Sequence, residues 1–306
     1  MRLKVINLIR AVLPALLFLA VIYAALWQYK KQTQPTPVRY LVAEQALRKG
    51  DTAGARQDFE KVLHVRPTDL TAYVGAIDTC IAANRLDLAA EYIGLALQKV
   101  TSLNRFERAR FYALLAQQYA TIESVPNQKR AKEAAKKALD LVPEDSSFQN
   151  TYGYILADNA TGKGPDTDAA LKILRAALSS MKGAPNTMAD AAARPLLTPL
   201  TEDSYGWALV KNGDYAEAIT VLTQAIVDYP QNSGAAEVKA TYYHLGEAHR
   251  LAGQFQEARN AYQNSLYLDA HYPDALAGIA KLPEDAKPGV QSPSAPTAPV
   301  KPEIKK

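Results

Sequence analysis

Few residues of this chain have the types and spacing that catalysis or metal binding requires. Its four histidines are His64, His244, His249 and His271. His244 and His249 are five residues apart, which puts them on different faces of a helix, whereas a zinc-binding pair on a helix is four residues apart. We therefore expect structural roles for His64, which lies near a predicted helix end, and for His249, which falls on a packing position.

The single cysteine and the glycine-rich segments lead to the same expectation. Cys80 excludes an intramolecular disulfide and a cysteine-rich zinc site, and it falls on a helix-packing position, as free cysteines often do. Residues 162–164 read Gly-Lys-Gly but lack the first glycine and the Lys-Ser/Thr ending of a phosphate-binding loop. The sequence predicts no catalytic residue, metal site, cofactor or small-molecule substrate, and hence no enzyme.

The charge of the chain is unevenly distributed. Residues 1–43 contain six basic residues and no acidic one, and residues 283–306 carry a net charge of +1. Because the whole chain has a net charge of +4, about −3 remains for the residues between. Nucleic-acid binding needs a basic face that displaces phosphate counterions. We therefore expect no nucleic-acid partner.

An uncharged apolar run, AVLPALLFLAVIYAALW, occupies residues 11–27. As a helix it would span about 25 Å, near the lower limit for crossing a bilayer. Trp27 and Tyr29 suit the membrane interface, and two lysines follow. A cleaved signal peptide is the alternative, but the end of the run lacks the small residues of a cleavage site. We predict that residues 1–31 form a transmembrane anchor that contacts the lipid bilayer through residues 11–27.

Helical repeats are predicted for most of the remaining chain. Residues 212–230, NGDYAEAITVLTQAIVDYP, place Ala218, Leu222 and Ala225 on one helix face after a glycine turn. A small residue at position 218 lets this helix approach the preceding one closely. The pattern recurs six times, and the close-packing alanines are Ala55, Ala89, Ala131, Ala170, Ala218 and Ala258. The longer intervals predict loops around residues 124–128, 161–168 and 179–199, and residues 274–282 predict a capping helix.

The pattern resembles the tetratricopeptide-repeat (TPR) family. The segments YGYILAD, DSYGWALVKNGDYAEA and YYHLGEAHRLAGQFQEA are similar to TPR segments of bacterial envelope assembly proteins. The resemblance implies an all-α fold, a right-handed solenoid of about six helical hairpins over residues 32–282. It also implies protein or peptide binding in a concave groove, with partners that differ from one such protein to the next.

In TPR arrays the first helix of each unit lines the concave face, with groove positions four residues apart. In the last three units this register gives the candidate groove residues Asn150, Tyr154, Asp203, Trp207, Tyr243 and Glu247. They lack the Lys and Asn with which some TPR proteins bind a C-terminal carboxylate. Their acidic and aromatic character favours a basic or apolar partner segment. The alternative is that Tyr154 and Trp207 only pack against neighbouring helices.

Prolines dominate residues 283–306, where Pro293, Pro296, Pro299 and Pro302 keep the period of three of a polyproline II helix. This composition predicts a disordered spacer, with a docking motif as the alternative.

Anchor and repeats together predict a membrane-tethered scaffold for protein–protein interactions, which supports assembly or stability of a membrane or envelope complex. The alternative is a regulatory or adaptor subunit that presents substrates to a membrane enzyme or transporter. The short basic segment before the apolar run favours an N-terminus in the cytoplasm. We therefore expect a single-pass protein of the bacterial inner membrane with its repeats on the extracytoplasmic side.

Overall fold

The computed structural model of the protein describes residues 36–122, 124–183, 188–230 and 233–283. These residues form α-helices joined by turns and loops, with no strand among them, so the all-α prediction is confirmed for this part of the chain. They divide into two compact units between Ser102 and Leu103. The predicted anchor at residues 1–31 and all but the first residue of the predicted tail at residues 283–306 lie outside the described residues.

The two units contain four and nine described helices. The first unit consists of α1 (Thr36–Arg48), α2 (Thr52–Val65), α3 (Leu70–Ala82) and α4 (Leu86–Lys99). The second unit consists of α5 (Arg105–Thr121), α6 (Val125–Leu141), α7 (Ser146–Asn159), α8 (Pro165–Met181), α9 (Met188–Asn212), α10 (Tyr215–Asp228), α11 (Ala235–Leu251), α12 (Phe255–Leu268) and α13 (Pro273–Ala280).

Within each unit the helices pack as consecutive hairpins. In the first unit α1 packs on α2, α3 packs on α4, and the first helices α1 and α3 also touch. In the second unit the hairpins are α5–α6, α7–α8, α9–α10 and α11–α12, and the first helices contact one another in the order α5, α7, α9, α11. The helix α13 covers α11 and α12, as the capping prediction requires. The first helices of the second unit therefore form one continuous layer.

Left-handed residues make four of the hairpin turns tight. Gly50, Gly213 and Gly253 have φ values of 82°, 91° and 79°, and Asn84 takes the equivalent place with a φ of 55°. Glycine enters this region without a Cβ clash, and asparagine tolerates it better than most residues do.

The predicted close-packing positions of the six repeats are buried. Each of the six repeat alanines is at most 1 % exposed, and the residues four positions later, which are Phe59, Ile93, Ala135, Leu174, Leu222 and Tyr262, are fully buried. In the last three hairpins those side chains lie over glycines of the first helix. A Cβ added to Gly153, Gly206 or Gly246 would lie 2.5 Å from Leu174, Leu222 or Tyr262 respectively. The repeat register read from the sequence is confirmed.

The loop expected through residues 179–199 is wrong for residues 179–181 and 188–199, which are helical. Helix α8 continues to Met181, and helix α9 already includes Pro195 and Pro199. Each proline lacks a backbone N–H and therefore removes one backbone hydrogen bond. Because the two prolines are four residues apart, both missing bonds lie on the same side of the helix. Arg194 donates a hydrogen bond of 2.8 Å to the carbonyl of Met181, which ties this part of α9 to the end of α8. Contacts with α8 thus outweigh the local tendency of proline to interrupt a helix.

The two other expected loops are shorter than predicted. Helix α6 begins at Val125 after the N-cap Ser124, and helix α8 begins at Pro165. A proline occupies the first turn of each helix, where the backbone N–H has no partner within the helix. Prolines in these segments therefore mark helix starts.

Candidate functional site

The layer of first helices in the second unit contains a groove of about 320 Å³. The helices α5, α7, α9 and α11 all contribute to it. The lining residues are Gln117, Ala120 and Thr121 of α5; Asn150, Thr151, Tyr154 and Ile155 of α7; Leu200, Asp203 and Ser204 of α9; and Glu237, Ala240 and His244 of α11. The groove therefore extends over four successive hairpins.

The groove crosses these helices obliquely. On α5 the lining residues follow the close-packed Ala116, and on α7 they lie on both sides of Gly153. On α9 they all precede Gly206, and on α11 they all precede Gly246. The lining thus shifts towards the helix N-terminus by roughly one turn from each helix to the next.

The lining combines carboxylates with neutral polar and apolar side chains. Among the described residues that form it, Asp203 and Glu237 are acidic, and none is lysine or arginine. Two oxygens of the lining, Asn150 Oδ1 and Glu237 Oε2, are buried and receive no hydrogen bond from the described part of the chain. A buried acceptor without a donor is unfavourable by about 1–3 kcal/mol. The groove thus has negative charge and unused capacity to accept hydrogen bonds.

A buried aspartate–histidine pair joins α9 to α11 at this groove. His244 Nδ1 lies 2.8 Å from Asp203 Oδ1, and their side chains are 5 % and 9 % exposed. The His244 ring stacks on Trp207 with a centroid separation of 4.4 Å and an interplanar angle of 19°, and its centroid lies 6.4 Å from that of Tyr154. These contacts hold the imidazole in place, so this part of the groove is preorganised.

The Tyr154 hydroxyl lies in a region of negative potential. Burial raises the pKa of Tyr154 well above its ordinary value, and the nearby carboxylates of Asp158, Asp203 and Asp274 raise the pKa further. Burial and the nearby negative charges all raise this pKa because they oppose ionisation of the phenol. The Tyr154 phenol is therefore held in its neutral form.

Trp207, a predicted groove residue, is packed inside the second unit and is 7 % exposed. Its indole Nε1 donates a hydrogen bond of 3.2 Å to Asp158 Oδ1. The ring stacks on His244, and the Lys211 ammonium lies 4.8 Å from the ring centroid. All of these groups belong to this chain, so the contact surface of the indole is already occupied.

Tyr243 and Glu247 also make their main contacts within the chain. The ring of Tyr243 packs against Tyr262 at 6.2 Å and against Tyr272 at 6.0 Å. Glu247 is 6 % exposed and accepts hydrogen bonds of 2.7 Å from Arg250 and 2.5 Å from the Tyr262 hydroxyl. Burial alone would raise the pKa of Glu247, but these two bonds hold it below its ordinary value. Of the six predicted residues, Asn150, Tyr154 and Asp203 line the groove and the other three do not.

Sequence reasoning missed His244, Glu237 and the contribution of α5. His244 directly follows Tyr243, so the prediction was one position away from the residue that lines the groove. The missing information was the oblique course of the groove, which a register taken from one repeat does not contain. Glu237 in the first turn of α11 and His244 about two turns later share a helix face. This spacing is the feature of the sequence that could have identified both residues.

The predicted structural residues agree in part with the structure. Cys80 is fully buried, and burial raises the pKa of its thiol to about 12, which suits a core residue. His249 bonds to Gln254 at 2.6 Å near the helix end, whereas the buried histidine of this helix is His244. The packing position predicted for His249 is therefore wrong. Within the described ranges, no cluster of His, Cys, Asp or Glu could hold a metal ion.

A second hollow lies along the outer face of α8, where all of its lining residues belong to that helix. A surface formed by one helix encloses little of a ligand. None of the helices that the structure describes is long and apolar enough to cross a bilayer. The segment of residues 11–27 is not among them.

Comparison with known proteins identifies the repeats. The family model described as tetratricopeptide repeat matches residues 43–102 and 206–275. The first segment covers most of the first unit, and the second contains three of the four helices that form the last two hairpins, with part of α9. No curated protein sequence matches the chain.

Solved structures share the fold at low sequence identity. The APC/C hetero-tetramer Cut9–Hcn1 has a TM-score of 0.53 and 18 % identity, over 86 % of this chain and 45 % of that chain. A Rap protein complexed with Competence and Sporulation Factor has a TM-score of 0.50 and 14 % identity, over 80 % and 68 %. BtubC from P. vanneervenii has a TM-score of 0.49 and 15 % identity, over 86 % and 97 %. This chain thus spans less than half of the Cut9–Hcn1 chain that it matches.

The family model supports tetratricopeptide repeats in these two segments, and the structures with TM-scores of 0.53 and 0.50 share the helical fold. Proteins built from such repeats generally mediate protein–protein interactions, and the repeat is typically a non-catalytic scaffold. The layer of first helices, where the groove lies, is the place at which this class of protein is expected to bind a partner.

Proposed function

We propose that this protein is a membrane-tethered scaffold that binds an extended segment of a partner protein in the groove of its second unit. The groove is the observation that carries the proposal. It runs over four first helices, it is partly preorganised by the Asp203–His244 pair, and two of its acceptor oxygens lack donors within the described residues.

The dimensions of the groove suit a peptide. Neighbouring helices pack about 9 Å apart, so four successive helices extend over about 27 Å. An extended chain covers that distance with about eight residues. Because the groove lies across the helices, such a peptide would contact side chains from all four hairpins at once.

A blocked groove provides the experiment. Thr121 is exposed at the rim, and its hydroxyl bonds to the carbonyl four residues earlier. We expect Thr121→Trp to fill this end of the groove without disturbing the core. The full-length protein in lipid nanodiscs would be presented to displayed random peptides of about ten residues. Peptides that bind the wild type should lose affinity by about tenfold or more for the Thr121→Trp variant.

The matched control is Thr220→Trp. Thr220 of α10 is also exposed and makes the same bond to the carbonyl four residues earlier, but it lies outside the groove. This variant should retain the wild-type affinity. Peptides that bind both variants and the wild type equally would show that another surface is used. Absence of any selected peptide would overturn the proposed peptide groove.

The membrane tether is supported by the sequence of residues 11–27 and the basic residues on both sides. We expect the full-length protein to stay in membranes during a carbonate wash, and release by that wash would contradict the spanning helix. A topology reporter fused after Lys306 should report the extracytoplasmic side of a bacterial inner membrane. A signal confined to the cytoplasm would reverse the proposed orientation.

A role in assembly of an envelope complex follows from a tether combined with a binding groove. Crosslinking in native membranes, followed by purification of the wild type and of the Thr121→Trp variant, would test it. We expect membrane or envelope proteins that the wild type captures and the variant does not. An identical set of crosslinked proteins for both would contradict this role.

A further inference from the structure

The electrostatic character of the groove is one-sided. Its lining contains two carboxylates, and no lysine or arginine occurs among the described residues that form it. The two acceptors without a donor, on Asn150 and Glu237, lie on opposite sides of α9 in the helix layer. The described lining of this groove carries negative charge and no positively charged lysine or arginine, and a cationic side chain would supply that charge.

The negative charge is concentrated on the α9–α11 side. The hydroxyls of Tyr229, at the end of α10, and Thr241 of α11 share a buried hydrogen bond of 3.2 Å. Burial raises the pKa of Tyr229, and the carboxylates of Asp203, Glu237 and Glu202 raise it further. Asp203 and Glu237, which line the groove on α9 and α11, thus both act on this hydroxyl. An acidic partner segment would be repelled here, whereas a cationic one would offset the negative charge.

We infer that the groove selects an extended peptide segment bearing a lysine or arginine, whose cationic group enters on the α9–α11 side between Asp203 and Glu237. This inference rests on the proposed peptide-binding function and adds the chemistry of the partner. The apolar stem of the cationic residue would contact Leu200 and Ala240, which also line this side. The charged end would then meet the carboxylates.

The rest of the groove suits the peptide backbone and neighbouring side chains. Asn150 and Thr151 on α7 supply polar groups that can pair with amides, and Tyr154 supplies a ring beside the His244 imidazole. Backbone amides could bond to these groups whatever the peptide sequence. The sequence preference should therefore come from the carboxylate side.

The experiment uses peptides selected on the full-length protein in nanodiscs. We expect lysine or arginine at one fixed position in most groove-binding peptides. Replacement of that residue by norleucine, which removes the charge of lysine and keeps an apolar stem, should weaken binding by about tenfold. The affinity of the lysine peptide should also fall as salt is raised, because salt screens the attraction between the free peptide's charge and the acidic groove.

The variant Glu237→Gln tests where the cationic group of the peptide binds. Glu237→Gln removes the charge and keeps the shape, and it should weaken the lysine peptide by about fivefold or more while leaving the norleucine peptide unchanged. The matched control is Glu257→Gln, because Glu257 is also the third residue of its helix but is exposed and outside the groove. Melting curves of both variants should coincide with that of the wild type.

The outcomes separate this inference from the proposed function. Peptides that lose affinity for Thr121→Trp but show no preference for lysine or arginine would refute the cation inference and leave the peptide groove standing. A preference for apolar or acidic residues would refute it in the same way. Peptides whose affinity is unchanged by Thr121→Trp would overturn both the cation inference and the proposed peptide groove.

Discussion

Two sets of side chains on the same helix layer of the second unit have opposite surroundings. Asn150, Tyr154 and Asp203 line an open groove, and one of them has an acceptor without a donor. Trp207 and Glu247 occur one turn further along the helices and are almost completely enclosed by partners from the same chain. Equivalent repeat positions therefore do not share a role.

The difference comes from where the groove crosses each helix. On α9 the crossing point precedes Gly206, so Asp203 is in the groove and Trp207 is beyond it. Trp207 joins two hairpins, because it bonds to α7, and Glu247 joins the two helices of the last hairpin, because it bonds to α12. The open set thus lines the groove, and the enclosed set is occupied by contacts within the second unit.

The largest expected effect comes from the enclosed set. Trp207→Ala should lower the free energy of unfolding of the second unit by about 3–5 kcal/mol, because it empties a filled site and removes the bond to Asp158. Thermal and denaturant unfolding followed by circular dichroism would measure this loss. A Trp207→Ala variant that melts like the wild type would show that the indole is not a packing residue.

Tyr154→Ala is the counterpart from the open set. Since Tyr154 is only partly buried, it should lose less stability than Trp207→Ala does and should weaken groove-binding peptides by about tenfold. The two variants would be compared by unfolding and by peptide titration. Loss of stability in both to the same degree would remove the distinction between the two sets.

The close approach of the helices is tested by Gly206→Ala. The added methyl group would lie 2.5 Å from Leu222, which is fully buried and cannot move away, so we expect a loss of about 1–3 kcal/mol. Gly94→Ala is the control, because nothing lies within 4 Å of a Cβ there and alanine favours a helix by about 1 kcal/mol. Equal effects would mean that helix packing at Gly206 is loose.

The smallest expected effect concerns Glu202, which lies beside the groove. Burial, together with Asp228, raises the pKa of Glu202 to about 7 from the ordinary 4.5. The folded state thus holds this proton more tightly than the unfolded chain, so stability from this group is full below pH 4.5 and is lost as the pH rises to about 7. Glu202→Gln should therefore raise the melting temperature relative to the wild type at about pH 8 and change it little at about pH 4.5. A stabilisation that is the same at both pH values would mean that the carboxyl does not titrate between them.

The repeat architecture was predictable because its signal is local. The spacing of Ala218, Leu222 and Ala225 identifies the buried face, and small residues at positions such as Gly206 identify the crossing. Helix α9 was not predictable in the same way, since Pro195 and Pro199 indicate a loop on local grounds. Contacts with α8 decide its conformation, and they are not part of any local pattern.

The groove was predictable only in part. Its location on the first helices and its acidic and aromatic character followed from the repeat register, and three of the six expected residues line it. The choice between Tyr243 and His244 depended on how far each hairpin is rotated relative to the next. That rotation results from packing between hairpins, so a register that treats all repeats alike cannot contain it.

The oblique course of the groove has a consequence for protein engineering. If the groove were parallel to the stack, each repeat would contribute the same positions, and a repeat could be grafted elsewhere together with its share of the specificity. Here each helix contributes a different stretch, from the end of α5 to the start of α11. A transplanted hairpin would therefore present the wrong residues in its new place, and a change of specificity requires redesign of a diagonal set of side chains.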